Sequence, residues 1–219
     1  MKTNVLSWIV LVLLGCNSDG TQPKTASLAT TELTVPAEPK GFPAAPTALS
    51  AGLKAIRPAD IPKHIPKGLI MKSFVQGNLN GDDIEDVLVI AENPADKDAA
   101  RQVLVLEGQK DATLKVADLG TQAALCAQCG GMMGDPFQEA LILKDNSFRL
   151  DFFGGSRWKW ARTIDFQYDT NSKKWLLVRD EYNTHDGANI DKPTQKLRTP
   201  QDKGFVKTPL ATFDASKDQ

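Results

Sequence analysis

Apolar residues are arranged along this chain in three different ways. Val5 to Leu14 form one run interrupted only by Ser7. Residues 17–50 hold few apolar side chains and show no period, and from about Ile61 onward apolar residues return in short runs of strand length. In that last region Val87, Val89 and Ala91 alternate with Leu88 and Ile90, and Val103 to Leu106 repeats the pattern. Unbroken apolar runs of this length predict strands buried on both faces. Leu114 with Val116 predicts a third short strand. Ala140–Leu143 and Phe148, Leu150 and Phe152 predict two more, with Asp145-Asn146 as the turn between them. From Arg157 to Tyr168 the even positions are Trp158, Trp160, Arg162, Ile164, Phe166 and Tyr168, while the odd positions are mostly polar. That period of two predicts a strand with one core face and one wet face. Trp175–Val178 then returns as its hairpin partner across a turn at Asp169–Ser172. No amphipathic helix longer than about three turns is predicted. The expected fold is mainly β: two antiparallel meanders, arranged like propeller blades or as a sandwich.

Composition narrows the function classes. The chain has 219 residues, 26 basic against 27 acidic, a net charge of −1, and 41% hydrophobic residues. One packed domain fits this length. Nucleic acid is excluded as an expected partner, because phosphate neutralisation needs a basic surplus. Three cysteines are too few for a disulfide-built scaffold. Five of the 13 prolines (Pro23, Pro36, Pro39, Pro43, Pro46) lie in residues 17–50, which predicts an extended, disordered tether.

The opening apolar run is too short to cross a membrane and has the length of a signal-peptide core. It ends in Leu13-Leu14-Gly15-Cys16, which resembles the lipobox of bacterial lipoproteins. The resemblance implies cleavage after Gly15, diacylglycerol on the Cys16 sulfur and acylation (palmitate) of the new amine. Several buried acyl chains, at about 0.8 kcal/mol per CH₂, give stable anchoring. Asn17 stands where Asp often retains such proteins in the inner membrane, so the outer membrane is the expected location. The expected organisation is a signal peptide at 1–15, a lipidated tether at 16–60, a β domain at 61–214 and a disordered tail at 215–219.

Ahead of the Val87–Ala91 strand lies Gly77-Asn78-Leu79-Asn80-Gly81-Asp82-Asp83-Ile84-Glu85-Asp86. Oxygen-bearing side chains recur at Asn78, Asn80, Asp82 and Asp86, and the Ile84 carbonyl completes a set of hard donors of the type Ca²⁺ prefers. An EF-hand needs Glu at its twelfth position, where Val89 stands here. The metal-free alternative is a turn folded by Asx side chains on their own backbone. The loop and the apolar strand after it resemble the calcium loop of FG-GAP/VCBS repeats, the blades of integrin-type propellers. Ile65-Pro66-Lys67-Gly68 before it and Asp86-Val87-Leu88-Val89-Ile90 after it also resemble bacterial lipoproteins carrying one such repeat. That resemblance covers about residues 65–118 and implies Ca²⁺ bound by Asn78, Asn80, Asp82, Ile84 and Asp86. It departs at Asn78, where the repeats carry Asp, and at Asp83, where they carry Gly.

Cys126-Ala127-Gln128-Cys129 precedes Gly130-Gly131-Met132-Met133-Gly134-Asp135-Pro136. Outside the cytoplasm the pair reads first as a short-loop disulfide. A redox pair would need a helix after Cys126, which the glycines and Pro136 oppose. Zinc would need two more ligands, and His64 and His185 are the only histidines. Gly154-Gly155-Ser156 lacks the frame of a nucleophile elbow. His185-Asp186 reads as a loop rather than as a base with its orienting acid. Arg162 is expected to stack among the aromatic residues or to meet an anion. Trp158 and Trp160 are expected in the core, with a sugar platform as the alternative. The sequence thus predicts a non-catalytic, lipid-anchored envelope protein with a Ca²⁺-binding β domain that meets a protein or polysaccharide partner. The alternative is an envelope thiol-disulfide oxidoreductase using Cys126 and Cys129.

Overall fold

The computed structural model describes residues 58–217. The leader, Cys16 and the tether up to residue 57 lie outside the described residues.

Among the described residues nine strands form two open antiparallel meanders whose order in space follows the chain. The first sheet contains β1 (Ile70–Gly77), β2 (Asp86–Glu92), β3 (Arg101–Gly108) and β4 (Leu114–Ala124). The second contains β5 (Phe137–Leu143), β6 (Ser147–Gly155), β7 (Trp158–Asp169), β8 (Lys174–Asp186) and β9 (Asn189–Arg198). Among the described residues helix is confined to 3₁₀ segments at Pro58–His64, Gly131–Met133 and Leu210–Thr212.

The unbroken apolar runs of β2 and β3 have a direct structural cause. Leu88, Ile90, Val103 and Val105 face a core shared with Phe148, Leu150, Phe152, Ile164, Phe166, Trp175 and Leu177 of the second sheet. Val87, Val89, Ala91, Leu104 and Leu106 face the other way, where Ile61 of the first 3₁₀ segment covers them with Ile65 and Leu69. The second sheet is covered on one face only, so its strands alternate. The carboxy-terminal segment closes the shared core with Leu210, Phe213 and Ala215. Phe166 lies 5.3 Å from Phe148 and 5.2 Å, edge-on, from Phe213. On the outer face of the same sheet, Arg149 pairs with Asp165 at 2.7 Å. Asn183, Arg179 and Gln195 all donate to the Glu181 carboxyl there and hold it down to about 2.

The turns form where short-range chemistry predicts them. Asp145 and Asn146 have φ of 61° and 56°, left-handed conformations that Asx residues tolerate, within the three-residue connection between the paired Leu143 and Ser147. Two strands differ from the hydrophobic pattern. β1 carries a bulge between Met71 and Ser73, which disrupts its alternation. β9 is a polar edge strand containing Pro193, so no apolar period marks it. Order also extends past residue 214: Ala215 is buried, and its N–H donates to the Gln122 carbonyl at 2.8 Å.

Candidate functional site

The loop between β1 and β2 is the first candidate. It is a hairpin connection in which Gly77 faces Asp86 across the ladder. Asn78 Oδ1 accepts the N–H groups of Asn80 (3.3 Å) and Gly81 (2.7 Å). Asn80 Oδ1 accepts the Asp82 N–H at 2.8 Å, and Asp82 Oδ1 accepts the Ile84 N–H at 2.9 Å. Three successive Asx turns therefore coil the loop, with Gly81 at φ +85°. Leu79 is driven into the shared core. The fully buried Asp86 closes the base, its two oxygens accepting the Leu79 N–H (2.8 Å) and the Gly108 N–H (3.0 Å). Gly108 is required there, because a Cβ would stand 2.1 Å from the Glu85 carbonyl oxygen.

Burial pushes the Asp86 carboxyl up to about 6; the two N–H bonds oppose this, while the charges of Asp82 and Glu107 add to it. Among the described residues no Lys or Arg pairs with Asp86. The donor chemistry suits a hard cation: two carboxylates, two amide oxygens and the Ile84 carbonyl lie within nine residues. The orientation does not yet present them. The Nδ2 atoms of Asn78 and Asn80 point at the Asp82 carbonyl and at Asp82 Oδ2, so amide hydrogens occupy the positive role. No cluster of three or more His, Cys, Asp or Glu with metal-site geometry occurs among the described residues.

The second candidate centres on residues 125–136. Cys126 and Cys129 form a disulfide with a Cα separation of 5.1 Å. The Cys129 N–H donates to the Cys126 carbonyl, so the pair closes a turn, and the helical piece that follows it directly is the 3₁₀ turn Gly131–Met133. Neither cysteine begins an α-helix whose dipole would favour a thiolate. Below this loop sits Arg101, a fully buried guanidinium that the sequence did not single out. It donates to Glu92 at 2.7 and 2.9 Å and to both oxygens of Asp135 at 2.7 Å. It lies 5.9 Å from the Phe137 ring centre. Burial favours the neutral Asp135 carboxyl, but hydrogen bonds from Arg101 and Lys72 hold it well below the usual carboxylate range. Two clefts flank the loop. One, of about 580 Å³, carries the charged side chains of Lys72, Glu92, Lys97 and Asp135 beside Ala127 and the loop glycines. The other, of about 330 Å³, is lined by Leu125, Cys129, Trp160, Arg162, Tyr182 and Ala215.

Other sequence candidates are resolved by their partners. Arg162 neither stacks nor waits for an anion: it is buried, bonded to both oxygens of Asp180 (2.8 and 2.9 Å), and donates to the Ala215 carbonyl. Trp160 stacks with Tyr182 instead. Trp158 is 60% exposed and so lies outside the core. The Asp186 carboxylate is held by Arg157, not by His185. The Ser156 N–H donates to the Trp158 carbonyl and shapes the turn into β7.

Comparison with protein-family models, with curated proteins and with solved structures found no match to this chain.

Proposed function

We propose that the protein is a non-catalytic, lipid-anchored component of the bacterial envelope, held at the outer membrane by acyl chains on Cys16. Its β domain serves as a binding module whose 78–86 loop takes Ca²⁺. The observation that carries the calcium reading is Asp86, a fully buried carboxylate facing the charges of Asp82 and Glu107, with two backbone N–H groups as its partners. A divalent cation held by Asp82, Asp86, the Ile84 carbonyl and the reoriented amide oxygens of Asn78 and Asn80 would compensate that charge. Bound there, Ca²⁺ supplies rigidity, with no chemical step attached.

Thermal melting tests this. Extracellular calcium modules bind at about 10⁻⁴ to 10⁻³ M. Five millimolar Ca²⁺ should then add about 1–2 kcal/mol, or about 2–8 °C in a domain of this size. Asp82→Ala should abolish the shift. No shift in the wild type, or an equal shift in Asp82→Ala, removes calcium from the reading. The anchor is tested separately by intact mass: a native protein that keeps its first fifteen residues and carries no acyl mass refutes it.

A further inference from the structure

We infer that the aromatic cleft beside the Cys126–Cys129 loop binds the pyranose rings of a glycan. Trp160 on β7 and Tyr182 on β8 place their rings nearly parallel, 18° apart in plane with centroids 6.0 Å apart. They line a cleft of about 330 Å³, a volume at the lower end of small-ligand sites. The surrounding backbone holds the indole in place. A Cβ on Gly154 would lie 2.5 Å from Trp160 Cζ2 and 2.8 Å from the Gly130 Cα, so only glycine lets the ring pack against β6. An aromatic fixed in this way loses little freedom when a ligand arrives.

The charges in the cleft identify the ligand class. Among the described residues that line it, the one cation is Arg162, already bonded to Asp180 and to the Ala215 carbonyl. That guanidinium is neutralised within the protein, which disfavours a phosphate or carboxylate ligand. What remains is the rings of Trp160 and Tyr182 with Leu125, Cys129, Ala215 and Ser216. Negative aromatic faces attract polarised C–H groups, and the Ser216 hydroxyl oxygen, whose proton goes to Asp214 at 2.6 Å, can accept from a sugar hydroxyl. A pyranose has both: a C–H face and a hydroxyl edge. Trp158 shares a strand face with Trp160, stands about 7 Å further along β7 and is 60% exposed. Trp158 does not itself line the cleft, and on the strand face it shares with Trp160 it would meet a second ring of the same glycan. The inference rests on the domain being a binding module. It needs neither the calcium nor the anchor.

The test uses the full-length protein in a detergent without a sugar headgroup. It is applied to immobilised oligosaccharides of glucose, galactose, mannose and N-acetylglucosamine, and retained probes are then titrated by calorimetry. At least one series should be retained, with affinity rising with chain length. Trp160→Ala should weaken it at least about tenfold, the loss expected for a central aromatic anchor, and Trp160→Phe less. Trp158→Ala, at an exposed position, should weaken it several-fold without changing the melting temperature, so the inference stays testable if Trp160→Ala does not fold. Retention of no oligosaccharide, or equal retention by Trp160→Ala and Trp158→Ala, overturns it. Repeating the titration in EDTA separates the readings: unchanged glycan binding with no calcium-dependent melting leaves the cleft standing and removes only the metal.

Discussion

Replacing Arg101 with methionine should destabilise the domain by about 2–3 kcal/mol, and the loss should depend on pH. The guanidinium is fully buried and joins Glu92, on the neighbouring strand, to Asp135, in the loop that leads into the second sheet. Removing one partner of a buried ion pair generally costs about 3–5 kcal/mol. Here the abandoned carboxylates are 21% and 33% exposed and regain some water, which lowers the figure. In a domain of this size the loss corresponds to about 4–12 °C in melting temperature. The sign of the pH effect follows from Asp135, whose folded pKa is lowered. A lowered carboxyl contributes stability that is present above its unfolded pKa of about 3.9 and is lost as pH falls through the folded value. The gap between wild type and Arg101→Met should therefore be full at pH 7 and shrink below about pH 4. Urea unfolding at pH 7, 5 and 3, with a double-mutant cycle against Asp135→Asn, measures both quantities. A loss under 1 kcal/mol at pH 7, or a gap that does not change with pH, would refute this account of the junction.

Two further outcomes can be measured on the same material. Cys129→Ser should cost about 2 kcal/mol, the loop-closure value for so short a ring, and thiol labelling of the native protein should find the pair oxidised and resistant to mild reductant; a readily cycled, low-pKa thiol would instead support the oxidoreductase alternative. Asn78→Asp should lower the melting temperature in EDTA, because it sets a carboxylate against the Asp82 carbonyl, and raise it above wild type in 5 mM Ca²⁺, because it restores a charged donor. Equal lowering in both conditions would count against the metal.

The strands visible in the sequence are those whose burial is decided by neighbours along the chain. Val87 to Ala91 read as doubly buried because each residue has a covering layer on its own side. Ile164 and Phe166 read as inward because β7 is covered on one face. β1 was not visible because its bulge breaks the period and because Lys72 reaches Asp135, 63 residues away. Arg101 gave no signal for the same reason: its carboxylates lie 9 and 34 residues distant. A lone arginine opening an apolar strand looks like an ordinary strand end until the fold brings acids to it. The face shared by Trp158, Trp160 and Arg162 was legible. Which of the two tryptophans would be covered depended on Gly130, Gly154 and the carboxy-terminal segment.

The 78–86 loop shows why side-chain spacing alone leaves two outcomes open. An Asx turn and a cation site both ask for an oxygen at every second residue, because alternate side chains of a tight coil point to the same side. Their difference lies in how many oxygens each side chain owns. An aspartate can accept a backbone N–H with one oxygen and face a cation with the other, so it can satisfy both arrangements at once. Asn78 and Asn80 have one oxygen each, and in both that oxygen accepts loop N–H groups while the Nδ2 turns toward Asp82. The loop thus holds itself closed with amide hydrogens in the role a metal would take. Bringing in Ca²⁺ must compete with those bonds, which favours a weak site that responds to millimolar rather than micromolar calcium.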